Sequence, residues 1–448
     1  MSWLPIYRER LCSAAEAVAA VGNGAKVYLG SGCATPHELV RALVDRAPEL
    51  QDVELIHHLT LGEAPYLGPD MAGHFRCNDC FVGANTREAV NEGRADYVPV
   101  HLHEMPRLFR RGVIPLDCAM VVLSPPDEHG FCSFGIEVGV TKPAALAARR
   151  IVAEVNRRMP RTLGDSFVHV SKVDAFVEVD RDLDEFRPAP PSGVERDIGR
   201  HVATLIEDGA CLQLGLGAIP NAVLGFLGDR RDLGVHTEMF TEALPDLVTR
   251  GVVTGERKNF HPGKVVAGFI MGTREVYDFA HDNALIEFHP TDYVNHPVNI
   301  ARNDNMVAVN SAIQIDLTGQ VCSDSIGQRI HSGFGGQADF IRGAALSKGG
   351  LPVVALPSTT DDGKISRIVA LLDPGAGVVL TRADVHAVVT EYGIAHLLGR
   401  NVRQRAEALI GIAHPDFRES LLAAARARGI FGRLFPGASP APGPAGGG

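Results

Sequence analysis

Residues 211–246 read CLQLGLGAIPNAVLGFLGDRRDLGVHTEMFTEALPD, and this stretch decides the fold class. The apolar run at its start has the length of a strand, GLG turns the chain, and residues 218–229 carry the spacing of a helix. Glycine at 215 and 217 lets backbone N–H groups face outward from the turn, and the helix adds its positive end. Strand, glycine turn and helix in that order form the βα unit of a parallel sheet. The segment DLGVHTEMF is again short and strand-like, so His236, Thr237 and Glu238 are expected at the same sheet edge as the turn. Two readings of Glu238 stay open on residue type alone. It is a nucleophile beside the turn, or an acid in the first turn of a helix capped by Thr237. Glu242 is the rival carboxylate, set by its spacing inside that helix and so on the surface.

The same grammar occurs once more. AKVYLGSGCATPHELVRALV (25–44) and ACLQLGLGAIPNAVLGFLGD (210–229) both read apolar strand, two glycines one residue apart, a proline, then an amphipathic helix. Proline suits a first helical turn, where its missing N–H costs nothing. A unit recurring about 185 residues later predicts two related α/β halves in tandem. Further strand-like segments in the first half are VELIHHLTLG, FVGANT, ADYVPVHL and DCAMVVLSPPD. The charged, proline-rich stretch over 181–193 is the linker candidate. The expected organisation is an N-terminal α/β domain over 1–190 and a second over 191–435. Each is a mostly parallel open sheet wrapped by helices on both faces. Residues 436–448, PGASPAPGPAGGG, have nothing to bury and are expected to be a disordered tail.

Bulk composition agrees with large buried cores. The chain has 448 residues, 45% hydrophobic and 21% charged, which is the balance of a soluble globular protein of two or three domains. A formal charge of −10 argues against nucleic acid as a partner. No apolar run reaches the roughly 18 residues of a membrane span. The N-terminus lacks an apolar segment with a cleavage site and reads as a first helix rather than a signal peptide. Eight scattered cysteines fit a reducing cytoplasm. Cys77 and Cys80 form a CxxC, and HLH follows at 101–103; reduced thiols and surface histidines are the expectation there, and no metal site. GLGAIP is not a nicotinamide fingerprint, because proline replaces the third glycine, which sets aside a dehydrogenase.

Downstream, IHSGFGGQADFIRGAALSKGG (330–350) offers a second glycine loop. Gly335 and Gly336 can bring backbone donors close to a carbonyl oxygen, as an oxyanion site requires. The plainer reading is a surface loop with Asp339 as a helix N-cap. Lys348, before Gly349 and Gly350, is a cation suited to a phosphate or simply to solvent. VLSPPDEHG (122–130) is a proline-rich loop at a strand end, explained by turn structure alone.

Several ordered motifs together carry a resemblance. SPPDEHGFCSFG (124–135), GLGAIPNAV, HTEMF, NFHPGK (259–264), VNSAIQIDLTGQ (309–320), SGFGGQADFIRGA (332–344), VVTEYGIAHLLGR (388–400) and IAHPDFRE (412–419) resemble the acetyl-CoA hydrolase/transferase family, in particular its 4-hydroxybutyrate and butyrate:acetate CoA-transferase branch. The resemblance runs from about residue 3 to about residue 435. It implies two CoA-transferase α/β domains with the active site between them, and Glu238 as the nucleophile that forms a glutamyl-CoA thioester. It also implies that Gln213, Leu214, Gly215, Leu216 and Gly217 form the CoA-contacting turn, with Gly335 as the glycine-loop donor. Lys348 would meet the CoA phosphates, and Asn310 and Glu391 would line the acyl pocket. Coenzyme A is then a substrate, with no tightly bound cofactor, and short-chain carboxylates are the partners. A cytoplasmic homodimer is expected. Hydrolysis of acetyl-CoA through the same glutamate is the alternative, and a non-catalytic CoA sensor is the reading from another class. One departure is Thr241-Glu242-Ala243, where many relatives carry Ser-Asp-Gly; it bears on loop shape and acyl choice.

Overall fold

The structure, a computed structural model, describes residues 3–215 and 217–431. Two parallel sheets organise it. The first contains β1 (Lys26–Leu29), β2 (Val53–His57), β3 (Phe75–Asp79), β4 (Asp96–Tyr97), β5 (Cys118–Leu123), β6 (Ile151–Asn156) and β7 (Ala175–Val179). Their spatial order is β4-β3-β2-β1-β5-β6-β7. The second contains β8 (Cys211–Leu214), β9 (Gly234–His236), β10 (Val265–Ala267), β11 (Ile286–Phe288), β12 (Met306–Ser311), β13 (Leu351–Ala355), β14 (Ala387–Thr390) and β15 (Gly393–His396). Here the order is β11-β10-β9-β8-β12-β13-β14-β15, with only the last pair antiparallel. The first seven strands of each sheet therefore follow one order. That is the structural counterpart of the repeated strand–glycine–helix unit.

The central strands β1 and β5 are largely apolar because both faces are covered. In β1, Val27 and Leu29 enter one cluster and Tyr28 another; in β5, Met120 joins the first and Ala119 and Val121 the second. Leu39, Val40 and Leu43 of α1 (His37–Asp45) cover the outer face of the first sheet. The inner faces of the two sheets meet in one continuous cluster. It holds Tyr28, Val121 and Phe176 from the first half together with Leu212, Phe269, Val309 and Val389 from the second. Ile198 and Val202 of α2 (Gly193–Ala203) and Val223 of α3 (Ala218–Gly225) close it. A capping box between Ser192 and Glu195 starts α2, so the irregular stretch ahead of it ends at a defined helix terminus.

Three local expectations are corrected. FVGANT is not a strand: β3 is the segment just before it, and Phe81 turns out of the sheet towards the second half, where Gly333 packs on it. No helix starts at Thr237. Met239–Phe240 instead pairs in parallel with Phe269–Ile270, and the next helix is Leu244–Thr249. Asp339 is not an N-cap, because α4 (Gln337–Leu346) begins beyond Gly336 and buries Asp339 in its first turn. The expected tail, 436–448, lies outside the described residues. Among those described, no helix is long and apolar enough to cross a membrane.

Candidate active site

In each sheet the strand order reverses beside its first strand, between β1 and β5 and between β8 and β12. The crevice at the carboxyl ends of strands next to such a reversal is where open α/β sheets bind ligands. Here the carboxyl edges of both sheets face one cavity of about 290 Å³. His58 and Leu59, after β2, and Phe81, after β3, form its wall from the first half. From the second half come Gln213, Leu214 and Gly215 at the end of β8, Glu238 beyond β9, and Asn310 and Ser311 at the end of β12. The loop Ser332–Gln337 leads into α4 and closes the remaining side.

Glu238 is held from three directions. Its backbone oxygen accepts from the Gly268 and Phe269 N–H groups at 2.8 and 3.2 Å, which fixes the chain between two short strands. Asn295 Nδ2 donates to its Oε2 at 2.8 Å, and Gly336 packs so close to the same carboxylate that a Cβ there would collide with it. The carboxylate keeps some accessible surface, which opens into the cavity, yet protein surrounds it densely. Burial pushes its pKa up to about 7, with the nearby Asp339 adding to the rise and the Asn295 amide and the Gly336 backbone opposing it. A second carboxyl, Glu137, lies behind it with 3% exposure. Burial raises Glu137 to about 8; the Val140 and Thr141 hydrogen bonds oppose this and the charge of Glu238 adds to it.

Asp339 joins the halves. Its Oδ1 lies 2.7 Å from His103 Nδ1 and its Oδ2 accepts from the His103 N–H at 3.1 Å. Burial raises the Asp339 pKa and the His103 contacts lower it. Close by, Asn91 exchanges hydrogen bonds with the Ile330 backbone at 2.8 and 2.9 Å, tying the first half to the strand that precedes the glycine loop.

The sequence candidates divide into those brought together and those set apart. Gln213, Leu214, Gly215, Glu238, Asn310, Gly335 and Gly336 all border the cavity. Gln213 and Asn310 pair through their amides, Asn310 Nδ2 donating to Gln213 Oε1 at 2.9 Å. Gly217, with φ +121, is the residue from which α3 starts; Leu216 lies outside the described residues. Lys348 stands at the far end of the ten-residue α4, about 15 Å from its start by helix rise. It is largely exposed, with Asp304 at 3.9 Å. Glu391 is away from the cavity as well: its carboxylate accepts from the Ser358 N–H and Oγ at 3.0 and 2.5 Å. Glu242 is bonded to the Thr273 N–H and hydroxyl and is an anchor between loops rather than a surface acid.

Sequence reasoning missed Asn295, Glu137, Asp339 as a neighbour of Glu238, and the whole first-half wall. Only the paired histidines at the end of β2 carried a signal, since polar residues ending an apolar strand point to a sheet edge. Among the described residues two groups have metal-ligand composition, His57–Cys77–Asp79 and His261–Glu287–His289. Neither borders the cavity. Cys77 thus groups with His57 and Asp79, while His103 of the HLH motif is bonded to Asp339.

The sequence matches the acetyl-CoA hydrolase/transferase N-terminal domain over residues 5–184 and the C-terminal domain of the same name over residues 272–425. It is 50% identical over 422 residues to a 4-hydroxybutyrate coenzyme A transferase of Clostridium kluyveri, covering 94% of this chain and 98% of that one. It is also 50% identical over 408 residues to a succinyl-CoA:acetate/propanoyl-CoA:succinate CoA transferase of Fasciola hepatica, covering 90% and 85%. RipA of Yersinia pestis has a similar structure, with TM-score 0.90 at 38% identity over 96% of this chain and all of that one. An acetyl-CoA hydrolase of Kluyveromyces lactis is more distant, 26% identical over 76% of this chain and 73% of its own.

Proposed function

This chain belongs to the acetyl-CoA hydrolase/transferase family, and from that premise we propose that it is an acyl-CoA:carboxylate CoA-transferase with Glu238 as its nucleophile. The acids named in its relatives, 4-hydroxybutyrate, succinate, acetate and propanoate, support short-chain carboxylates as its substrates. Glu238 carries the proposal, as a carboxylate at the reversal of the second sheet, aimed into a cavity shared with the first. We divide the chain for this purpose at residue 190, with the nucleophile in the half over 191–435.

The chemistry follows from the residue type. An ionised carboxylate attacks without a general base. A Glu238 oxygen adds to the thioester carbonyl of acyl-CoA, the C–S bond breaks, and CoA leaves as the thiolate, giving an acyl-glutamyl anhydride. The thiolate then adds to the glutamyl carbonyl and expels the acyl group as a free carboxylate, leaving a glutamyl-CoA thioester. An incoming carboxylate runs both steps in reverse. Each tetrahedral intermediate carries an oxyanion, for which the backbone N–H groups of Gly217 and Gly335 are the candidate donors, the Gly215 N–H being bonded to the Val309 oxygen at 3.1 Å. Losing one such donor typically costs about 3 kcal/mol. Lys348 stands outside the cavity and suits the CoA phosphates, with binding energy there spent at the thioester. Glu391, engaged by Ser358, is assigned no contact with the reacting atoms.

The deciding experiment incubates the purified protein with acetyl-CoA alone, then with butyrate, propionate or succinate. Transfer predicts the CoA thioester of the added acid and little free CoA. CoA release at one rate, whatever acid is present, would overturn the transferase reading in favour of hydrolysis. In the transferring enzyme, borohydride added after acyl-CoA should inactivate by reducing the glutamyl thioester.

A further inference from the structure

The segment NFHPGK (259–264) takes no part in the cavity, yet it sets His261 against Glu287 and His289 at the edge of the second sheet. Residues two apart on a strand share a face, so Glu287 in β11 and His289 just past its end point the same way. The loop that brings His261 is pinned. Lys258 Nζ donates to the Val235 and Lys264 oxygens at 2.9 and 2.8 Å, and Asn259 Nδ2 donates to the Arg302 oxygen at 2.6 Å. His261 itself has φ +54, a left-handed conformation that a residue with a Cβ keeps only where its surroundings enforce it. The two imidazoles converge on one carboxylate oxygen. His261 Nδ1 lies 2.7 Å and His289 Nε2 3.5 Å from Glu287 Oε2, and one ligand atom from each residue falls within 4.8 Å of the others. The far nitrogen of His261, Nε2, is 2.7 Å from the Tyr293 hydroxyl, and the Tyr293 ring stacks on His289 at 4.7 Å between centroids.

Hydrogen bonding accounts for His261 and Glu287 but not for His289. Its Nε2 is buried and has no hydrogen-bond partner among the described residues, although a carboxylate oxygen stands 3.5 Å away. Burial holds the His289 imidazole below its ordinary pKa against the pull of Glu287. Burial alone would raise Glu287, but His261 and His289 bring it below the usual carboxylate range. A neutral imidazole and an ionised carboxylate are the forms in which these groups bind a metal. Donors at about 2.0–2.2 Å from a zinc-like ion stand roughly 3.0–3.5 Å apart, so the His289–Glu287 pair already has that spacing and the His261–Glu287 pair has to open by about half an ångström. We propose that His261, Glu287 and His289 form a site for one borderline divalent cation of the zinc type, which staples the 259–264 loop to β11. Two imidazoles and one carboxylate favour such an ion over magnesium or calcium, which take oxygen donors. The three side chains keep between 16% and 26% exposure, so an ion can enter. The other group, His57–Cys77–Asp79, is fully buried, and its ligand atoms already meet one another at 2.8, 3.1 and 3.2 Å. The inference goes beyond the transferase reading and does not depend on it.

The test strips the full-length protein of metal with a chelator, titrates it with Co²⁺ while reading the visible absorption, and then displaces Co²⁺ with Zn²⁺. One equivalent per chain should bind, with no sulfur-to-cobalt charge-transfer band, and Zn²⁺ should raise the melting temperature of the wild type by mass action. His289→Gln and Glu287→Gln should each weaken Co²⁺ binding by roughly tenfold or more. Tyr293→Phe keeps all three ligands and removes only the hydroxyl beside His261, and should weaken binding by about tenfold. Circular dichroism of each metal-free variant reports its folding, and Tyr293→Phe keeps the test decisive where a ligand variant does not fold. Three results would each overturn the inference: no saturable equivalent on the wild type, equal Co²⁺ affinity in the wild type and the folded variants, or a sulfur band that places the ion at Cys77. All three leave the transferase reading standing, since the dependence of CoA transfer on the added acid tests that separately.

Discussion

As the proposed nucleophile, Glu238 would have to be buried and ionised at once, and the two demands oppose each other. A dry, crowded site raises its pKa to about 7, so attack should require a pH above that value. With a neutral acceptor site and saturating acyl-CoA, the rate is expected to rise with pH along a limb centred near 7. A rate that stays flat from pH 5 to 9 would contradict the assignment. Glu137, at about 8, is protonated when Glu238 first ionises, so the second carboxyl adds no charge until higher pH. For both groups the folded pKa lies above the unfolded one. The stability they confer is complete below about 4.5 and is lost as pH rises through 7 and 8. Glu137→Gln should therefore reduce the fall in unfolding free energy between pH 5 and 9 by something on the order of 3 kcal/mol, read from urea unfolding at the two pH values. Glu238 itself was legible in the sequence as one of two readings, and the helix that would have made it an ordinary first-turn acid does not form there. Glu137 and Asn295 were not legible. Their roles come from burial and from contacts across the fold, and neither leaves a mark in local spacing.

At the scale of elements, the glycine loop before α4 makes its case by what it excludes. A Cβ at Gly336 would collide with the Glu238 carboxylate and the Asn295 amide, whereas one at Gly335 would meet only Phe81 Cε2, at 3.4 Å. Gly335 carries its own constraint, φ +53, which an alanine adopts at a cost of about 1 kcal/mol. Gly336→Ala is thus expected to reduce kcat at least 100-fold and Gly335→Ala by about tenfold or less, measured side by side on acyl transfer. The reverse ranking would show that the loop is not seated against Glu238 as described. The sequence announced backbone donors in GFGG but not which glycine meets the carboxylate, because that depends on how α4 docks against Asn295. Lys348 shows the same limit. Its distance along the chain from the glycine loop looked short, and a helix turned those residues into a length of about 15 Å.

The whole molecule is two sheets of one strand order fused through a shared core. The repeat itself was readable, since strand, glycine turn, proline and helix recur 185 residues apart. The spatial order of strands was not, because it is set by crossovers that pattern alone does not rank. Nor did any local signal show that the inner faces of the two sheets would merge instead of closing separately. With Tyr28, Phe176, Phe269 and Val309 in a single cluster, removing one half would expose the apolar face of the other. Calorimetry on the intact chain should accordingly show one unfolding endotherm. Two resolved endotherms would mean that the halves hold together less tightly than their packing implies.

The cavity draws on both sheets. His58, Leu59 and Phe81 belong to the first half, while Glu238, Met239, Phe269 and Met271 belong to the second. A chimera joining halves of two such proteins would therefore take its cavity from both parents, part of the lining from each. The shared core sets the condition for such exchange, since only parents whose inner faces still fit each other could be crossed.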